Sequence, residues 1–137
     1  MKIYMLLADA AQQVNGKLFI LGGGWDITST HIPSMSVAIK VEIPWTSTNK
    51  KLDWSLKLVN EDGNFIRDEA GNFIGTVGEV EVGRPPGHQE GAPISFPMAI
   101  NINSLTLQPG RYEWHFTFAE GFETVSFVVR AQLPGPA

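Results

Sequence analysis

Hydrophobic and polar residues alternate with a period of two along most of this chain. Over 51–59, Leu52, Trp54, Leu56 and Leu58 fall on one side and Lys51, Asp53, Ser55 and Lys57 on the other. Over 111–118, Tyr112, Trp114, Phe116 and Phe118 oppose Arg111, Glu113, His115 and Thr117, and Glu79-Val80-Glu81-Val82 repeats the theme. Such alternation marks strands with one buried and one wet face. The pattern predicts strands over 2–9, 17–22, 25–31, 35–43, 51–60, 64–67, 72–82, 94–103, 111–119 and 122–131. Trp54, Leu56, Leu58, Val80, Val82, Tyr112, Trp114 and Phe116 are expected to share one core. No window carries a convincing helical period. The nearest is Leu6–Val14, which leaves room for one helical turn around Ala8-Asp9-Ala10-Ala11.

Turn chemistry separates these runs. Asn15-Gly16 is a strong hairpin signal, because both residues accept positive φ. Glu61-Asp62-Gly63-Asn64, Glu69-Ala70-Gly71-Asn72, Pro109-Gly110 and Glu120-Gly121 mark further turns. Gly63-Asn64-Phe65-Ile66 recurs as Gly71-Asn72-Phe73-Ile74, which reads as a hairpin with equivalent strand starts. Many short strands joined by tight turns indicate an all-β fold. The expected architecture is a two-sheet antiparallel Greek-key, immunoglobulin-like β-sandwich. Residues 1–133 are expected to form the single domain, with 134–137 as a frayed tail. Gly83–Pro93 holds three prolines and three glycines in eleven residues, which excludes a central strand.

Composition narrows the chemistry. The 137-residue chain has no cysteine, which excludes a disulfide scaffold, a thiol nucleophile and a cysteine-ligated metal centre. The apolar run Ile3–Ala8 is shorter than the roughly 7–15 residues of a secretory leader core. It is therefore read as the first strand, with a cytoplasmic location expected. No segment has the roughly 20 apolar residues of a membrane span. Net charge is -4, and the basic residues are scattered, so no stripe suits nucleic acid.

Candidate chemistry is sparse. Gly22-Gly23-Gly24 precedes strand-like residues, whereas a phosphate cradle needs a helix N-terminus there. A strand bend is the expected reading. His31, His88 and His115 lack metal-ligand spacing. Asn60, Asp62 and Asn64 resemble part of a calcium loop, but Phe65 stands where its glycine belongs. No glycine-flanked nucleophile elbow is present. No catalytic residue, metal or cofactor is therefore assigned. Trp54 and Trp114 belong to core faces, while Trp25 and Trp45 stand at strand ends as candidate exposed aromatics. With Arg84, Pro85, Pro86 and His88 they are the candidate binding residues. Pro85 and Pro86 favour an extended loop, and Arg84 offers a charged donor fork at its entry.

Three blocks carry a resemblance: LLADAAQQVNGKLFILGGGWD at 6–26, EVGRPPG at 81–87 and LQPGRYEWHFTFAEG at 107–121. Together they resemble a bacterial family of small uncharacterised β proteins, a domain of unknown function. The resemblance implies a short, mainly β domain and transfers no site residue. Three functional classes stay open. The leading one is a non-enzymatic interaction or scaffold module. The first strand and Lys17–Leu21 are apolar on both faces, so a loop, the C-terminal segment or another subunit must cover the second face, and self-association or a protein partner is expected. The others are a small-ligand or glycan-binding sandwich and a hydrolase with an unrecognised site.

Overall fold

The computed structural model describes residues 1–131; the tail at 134–137 lies outside the described residues, as do 132 and 133. Within them run β1 (Lys2–Val14), β2 (Lys17–Gly23), β3 (Ile27–Ser29), β4 (His31–Ile43), β5 (Lys51–Asn60), β6 (Gly75–Glu81), β7 (Ile94–Thr106), β8 (Gly110–Phe118) and β9 (Gly121–Arg130). One sheet has the order β2-β1-β4-β7 and the other β3-β9-β8-β5-β6. All pairs are antiparallel except β3, which runs parallel to β9. The five-stranded sheet curls into a half-barrel. The chain is thus all-β with two sheets, as the alternation requires.

The core follows from the same alternation. Leu7, Val37, Ile39, Val41 and Ile43 come from the first sheet, and Leu56, Leu58, Trp114, Phe116, Phe118 and Phe127 from the second; all are buried. Across β5 and β8, Leu56 stands opposite Phe116 and Leu58 opposite Trp114. The Trp114 indole N–H donates to Met35 Sδ at 3.3 Å, so its one polar atom is not stranded. Trp54, Val80 and Val82 pack only partly buried against this core. Trp54 lies flat on Gly78, where a Cβ would come within 2.6 Å of the ring.

β1 changes partner in mid-strand. Lys2–Ala8 pair with β4, and Ala8–Val14 pair with β2. Asn15 (φ 51°) and Gly16 (φ 75°) close that hairpin, which is the primed two-residue turn whose twist suits paired strands. The hairpin forms an arm that reaches β7, two strands away in the sheet order. There the Asn101 side chain donates Nδ2–H to the Ala11 carbonyl at 3.1 Å and accepts the Ala11 N–H at 3.5 Å. Ser34 Oγ also donates to the Asp9 carbonyl at 3.4 Å. Ala8, Ala11, Ser36 and Ala38 are buried around this crossing. Their small side chains let the backbones come close.

Several sequence expectations change. Ala8–Ala11 is extended and carries no helical turn, because both of its neighbours and Asn101 supply strand-type hydrogen bonds. The stretch 64–67 is not a strand of either sheet. It makes isolated bridges, Val59 to Phe65 and Arg67 to Phe73. The strand expected over 72–82 shortens to β6, while those expected at 2–9, 35–43 and 94–103 lengthen to 13 residues each.

Two measurements test this packing. Trp114→Ala is expected to cost about 3–5 kcal/mol in urea unfolding, the usual cost of deleting a buried aromatic; an unchanged midpoint contradicts the facing of β8. Tyr112 donates its hydroxyl to the Gln108 carbonyl at 2.7 Å. Burial, and then the charge of Glu61, raise its pKa above the ordinary 10.0. The unfolded chain therefore loses this proton first, and stability falls as pH rises past about 10. Tyr112→Phe should flatten that alkaline decline, as seen in thermal melts across pH; an unaltered decline assigns it to other groups.

Candidate functional site

The structure brings Trp45, Arg84 and His88 together. Pro44 (φ -59°) starts a single 3-10 turn, Trp45–Ser47, in which the Thr48 hydroxyl donates to the Trp45 carbonyl at 2.6 Å. The Arg84 guanidinium lies 3.8 Å from the Trp45 ring centre. Its Nε donates to Thr48 Oγ1 at 2.7 Å and its Nη2 to the Trp45 carbonyl at 3.2 Å. The His88 ring is parallel to Trp45 within 11°, at 6.1 Å. His88 Nε2 meets the Ala92 carbonyl at 3.0 Å; a carbonyl only accepts, so this nitrogen carries the proton.

Pro85 and Pro86 lead into a turn, and the segment does not continue as one extended run. The His88 N–H donates to the Pro85 carbonyl at 3.1 Å, and the Ala92 N–H to the Gln89 carbonyl at 3.1 Å. Gly87 (φ 81°) and Gly91 (φ 82°) take the left-handed position of these two consecutive turns. The 83–93 segment is therefore a folded strap. Arg84 spends two of its donors and one face of its guanidinium on holding it to the Trp45 turn. Beside the strap lies a groove of about 450 Å³, lined by Met1, Lys2, Glu42, Pro44, Trp45 and Pro93 among others.

Trp25 lies elsewhere, beyond the other end of β4. Its ring meets Phe127 edge-on at 6.1 Å, and its buried Nε1 has no hydrogen-bond partner among the described residues. It lines a separate open groove of about 740 Å³ with Asp9, Ser29, His31 and Ser34. A single ligand site built from Trp25 and Trp45 does not form. The glycine run has local reasons. Gly22 (φ 59°) and Gly24 (φ 90°) are left-handed, a Cβ on Gly22 would collide with the Asp9 side chain, and the Gly24 N–H donates to the Leu7 carbonyl at 2.7 Å. Sequence reasoning missed Asp9 and His31 here, since neither has a neighbour of its kind in the chain.

The internal echo is two copies of one turn. Asn60 Oδ1 accepts the N–H groups of Asp62 and Asn64, both at 3.0 Å. Asp68 Oδ1 accepts those of Ala70 and Asn72 at 3.0 and 2.9 Å. Of the three residues that resembled calcium ligands, Asn60 thus gives its side-chain oxygen to the backbone. Phe65 and Phe73 meet edge-on at 5.3 Å, with Lys57 Nζ 5.4 and 5.1 Å from their centres. Across the sheet, His115 Nε2 lies 3.1 Å from Glu113 Oε1 on the outer face of β8. Among the described residues no cluster of His, Cys, Asp or Glu has the arrangement of a metal site, and no helix is long and apolar enough to cross a membrane.

The arm carries a run of exposed apolar side chains. Leu21 is 71% exposed and Phe19 56%, and Val14 and Ile20 are exposed on the same hairpin. β2 is also a sheet edge. The other edges are blunted by the usual devices. β3 has only three residues, β7 carries Pro97, and β6 carries Glu79 and Glu81. Leu18-Phe19-Ile20-Leu21 has no such guard.

These features define an all-β, two-sheet domain with an uncovered apolar edge. The chain belongs to the family of unknown function DUF6941, whose model matches residues 3–129. No curated protein and no solved structure matches it.

The strap geometry makes its own prediction. Arg84→Ala should speed proteolytic cleavage within 83–93 while lowering global stability by only about 0.5–2 kcal/mol, the range of a cation–π contact. Cleavage at the wild-type rate would show that Arg84 does not hold the strap.

Proposed function

We propose that this protein is a non-enzymatic protein-interaction module whose contact surface is the β1–β2 arm. The observation that carries this reading is the exposure of Phe19 and Leu21 on a sheet edge that no other strand covers among the described residues. Soluble monomers seldom leave contiguous apolar surface open unless it meets something. Residues 10–24 contain one charged residue, Lys17, in a chain of net charge -4. An acidic protein thus offers its least charged stretch for contact. The strap around Trp45 supports the arm reading by contrast, since its aromatic and cationic groups are engaged with one another.

We read the sandwich as an immunoglobulin-like Greek key. Three features support this. The chain crosses between the sheets five times, at β2–β3, β3–β4, β4–β5, β6–β7 and β7–β8. β3 runs parallel to the last strand. The Tyr112 hydroxyl returns to the backbone four residues upstream, as a tyrosine corner does. The cysteine-free chain suits a reducing, cytoplasmic setting.

The test is the double substitution Phe19→Ser with Leu21→Lys, compared with wild type by cross-linking in native-host extract and by thermal unfolding. The expected result is loss of arm-dependent cross-links with stability changed by only about 0.5 kcal/mol, as for surface positions. Retention of every cross-link, or a stability loss of several kcal/mol, contradicts the reading.

A further inference from the structure

The proposal of an interaction arm rests on β2 being open; the strand's hydrogen-bond phase goes further and specifies what fits it. The two-residue turn Asn15-Gly16 makes Val14 and Lys17 a hydrogen-bonded pair. In an antiparallel ladder such pairs alternate with non-hydrogen-bonded ones. Phe19 opposite Gln12 and Leu21 opposite Ala10 therefore direct their N–H and C=O groups to β1. Leu18 and Ile20 direct theirs away from β1, off the edge of the sheet. The open segment is bounded by the turn at Gly16 on one side and by left-handed Gly22 (φ 59°) on the other. It is five residues long, Lys17–Leu21, and Phe19 is its centre.

We infer that β2 pairs antiparallel with β2 of a second copy of this chain, about a two-fold axis at Phe19, joining two four-stranded sheets into one of eight strands. In this register Leu18 and the partner's Ile20 exchange both backbone hydrogen bonds, and Ile20 and the partner's Leu18 do the same. Every outward donor and acceptor of the two residues is used. Phe19 meets the partner's Phe19 as a non-hydrogen-bonded pair, where side chains approach closest and aromatic pairs add most. Leu18 meets the partner's Ile20 on the other face, so the joined sheet has apolar neighbours on both sides. Lys17 stands beside the partner's Leu21, with its alkyl stem along that side chain. The two lysines are at opposite ends of the contact, so no like charges oppose each other. An isologous contact needs a self-complementary patch, and an uncharged strand flanked by one Lys on each end meets that need. A heterologous partner strand has no such constraint on Phe19.

The chain has no cysteine, so single cysteines report the register without background. Sedimentation over a concentration series should show the 15.0 kDa chain reversibly doubling in mass. Under mild oxidation Phe19→Cys should form a disulfide dimer with itself. Leu18→Cys and Ile20→Cys should cross-link to each other when mixed and much more slowly alone. Val77→Cys, at least as exposed but on β6, should form no disulfide dimer. Ile20→Pro removes an outward N–H that the hairpin does not use. It should weaken dimerisation about tenfold or more, since each such bond is worth roughly a factor of ten, with circular dichroism unchanged. A chain that stays monomeric, or Val77→Cys cross-linking as fast as Phe19→Cys, overturns the inference. A monomer whose arm still cross-links to another protein overturns only the self-pairing. A monomer in which Phe19→Cys resists maleimide until unfolding overturns the interaction reading as well.

Discussion

The exchange of partners along β1 is the constraint from which the unusual features of this fold follow. Its first half is held by β4 and its second half by β2. At the crossing the Ala11 N–H and C=O lose a strand neighbour, and buried backbone groups left unpaired are costly. The Asn101 side chain supplies both an acceptor and a donor at that point. The crossing also needs room, which explains Ala8, Ala11, Ser36 and Ala38. At its far end Gly22 makes space for the Asp9 side chain, and Gly24 turns the chain towards the second sheet. This exchange places β2 at the end of the sheet, with a partner on one side only.

Much of the fold was legible in the sequence because a strand with one wet face writes its own period. β5 and β8 are the clearest examples, and the core pairs Leu56 with Phe116 and Leu58 with Trp114 as their alternation requires. The Asn15-Gly16 turn was equally plain. Ala8–Ala11 was harder, because small residues favour helix locally, and the reason they stay extended is a side chain 90 residues away. The stretch 64–67 looked like a strand because Phe65 and Ile66 are apolar, yet its hydrogen bonds go to a turn and to isolated bridges.

The candidate site was legible only in part. Trp45, Arg84 and His88 do converge, but their contacts are with one another and with the strap. Arg84 was read as an outward fork because sequence does not show that Thr48 and the Trp45 carbonyl lie within its reach. Trp25 shares the block that carries the glycine run, yet it packs on Phe127 away from Trp45. The two-faced apolarity of Lys17–Leu21 was visible from the start. Its meaning depended on finding that β2 ends a sheet, a long-range property that no local pattern encodes.

The most direct measurement is residue-resolved amide hydrogen exchange along β2 as a function of protein concentration. At high dilution the Leu18 and Ile20 amides should exchange nearly as fast as in an unstructured peptide, while Phe19 and Leu21 stay protected by their bonds to β1. Raising the concentration should slow Leu18 and Ile20 and leave Phe19 and Leu21 unchanged. Protection of Leu18 and Ile20 that is already present at high dilution would show the edge to be covered within one chain, and would contradict an open arm.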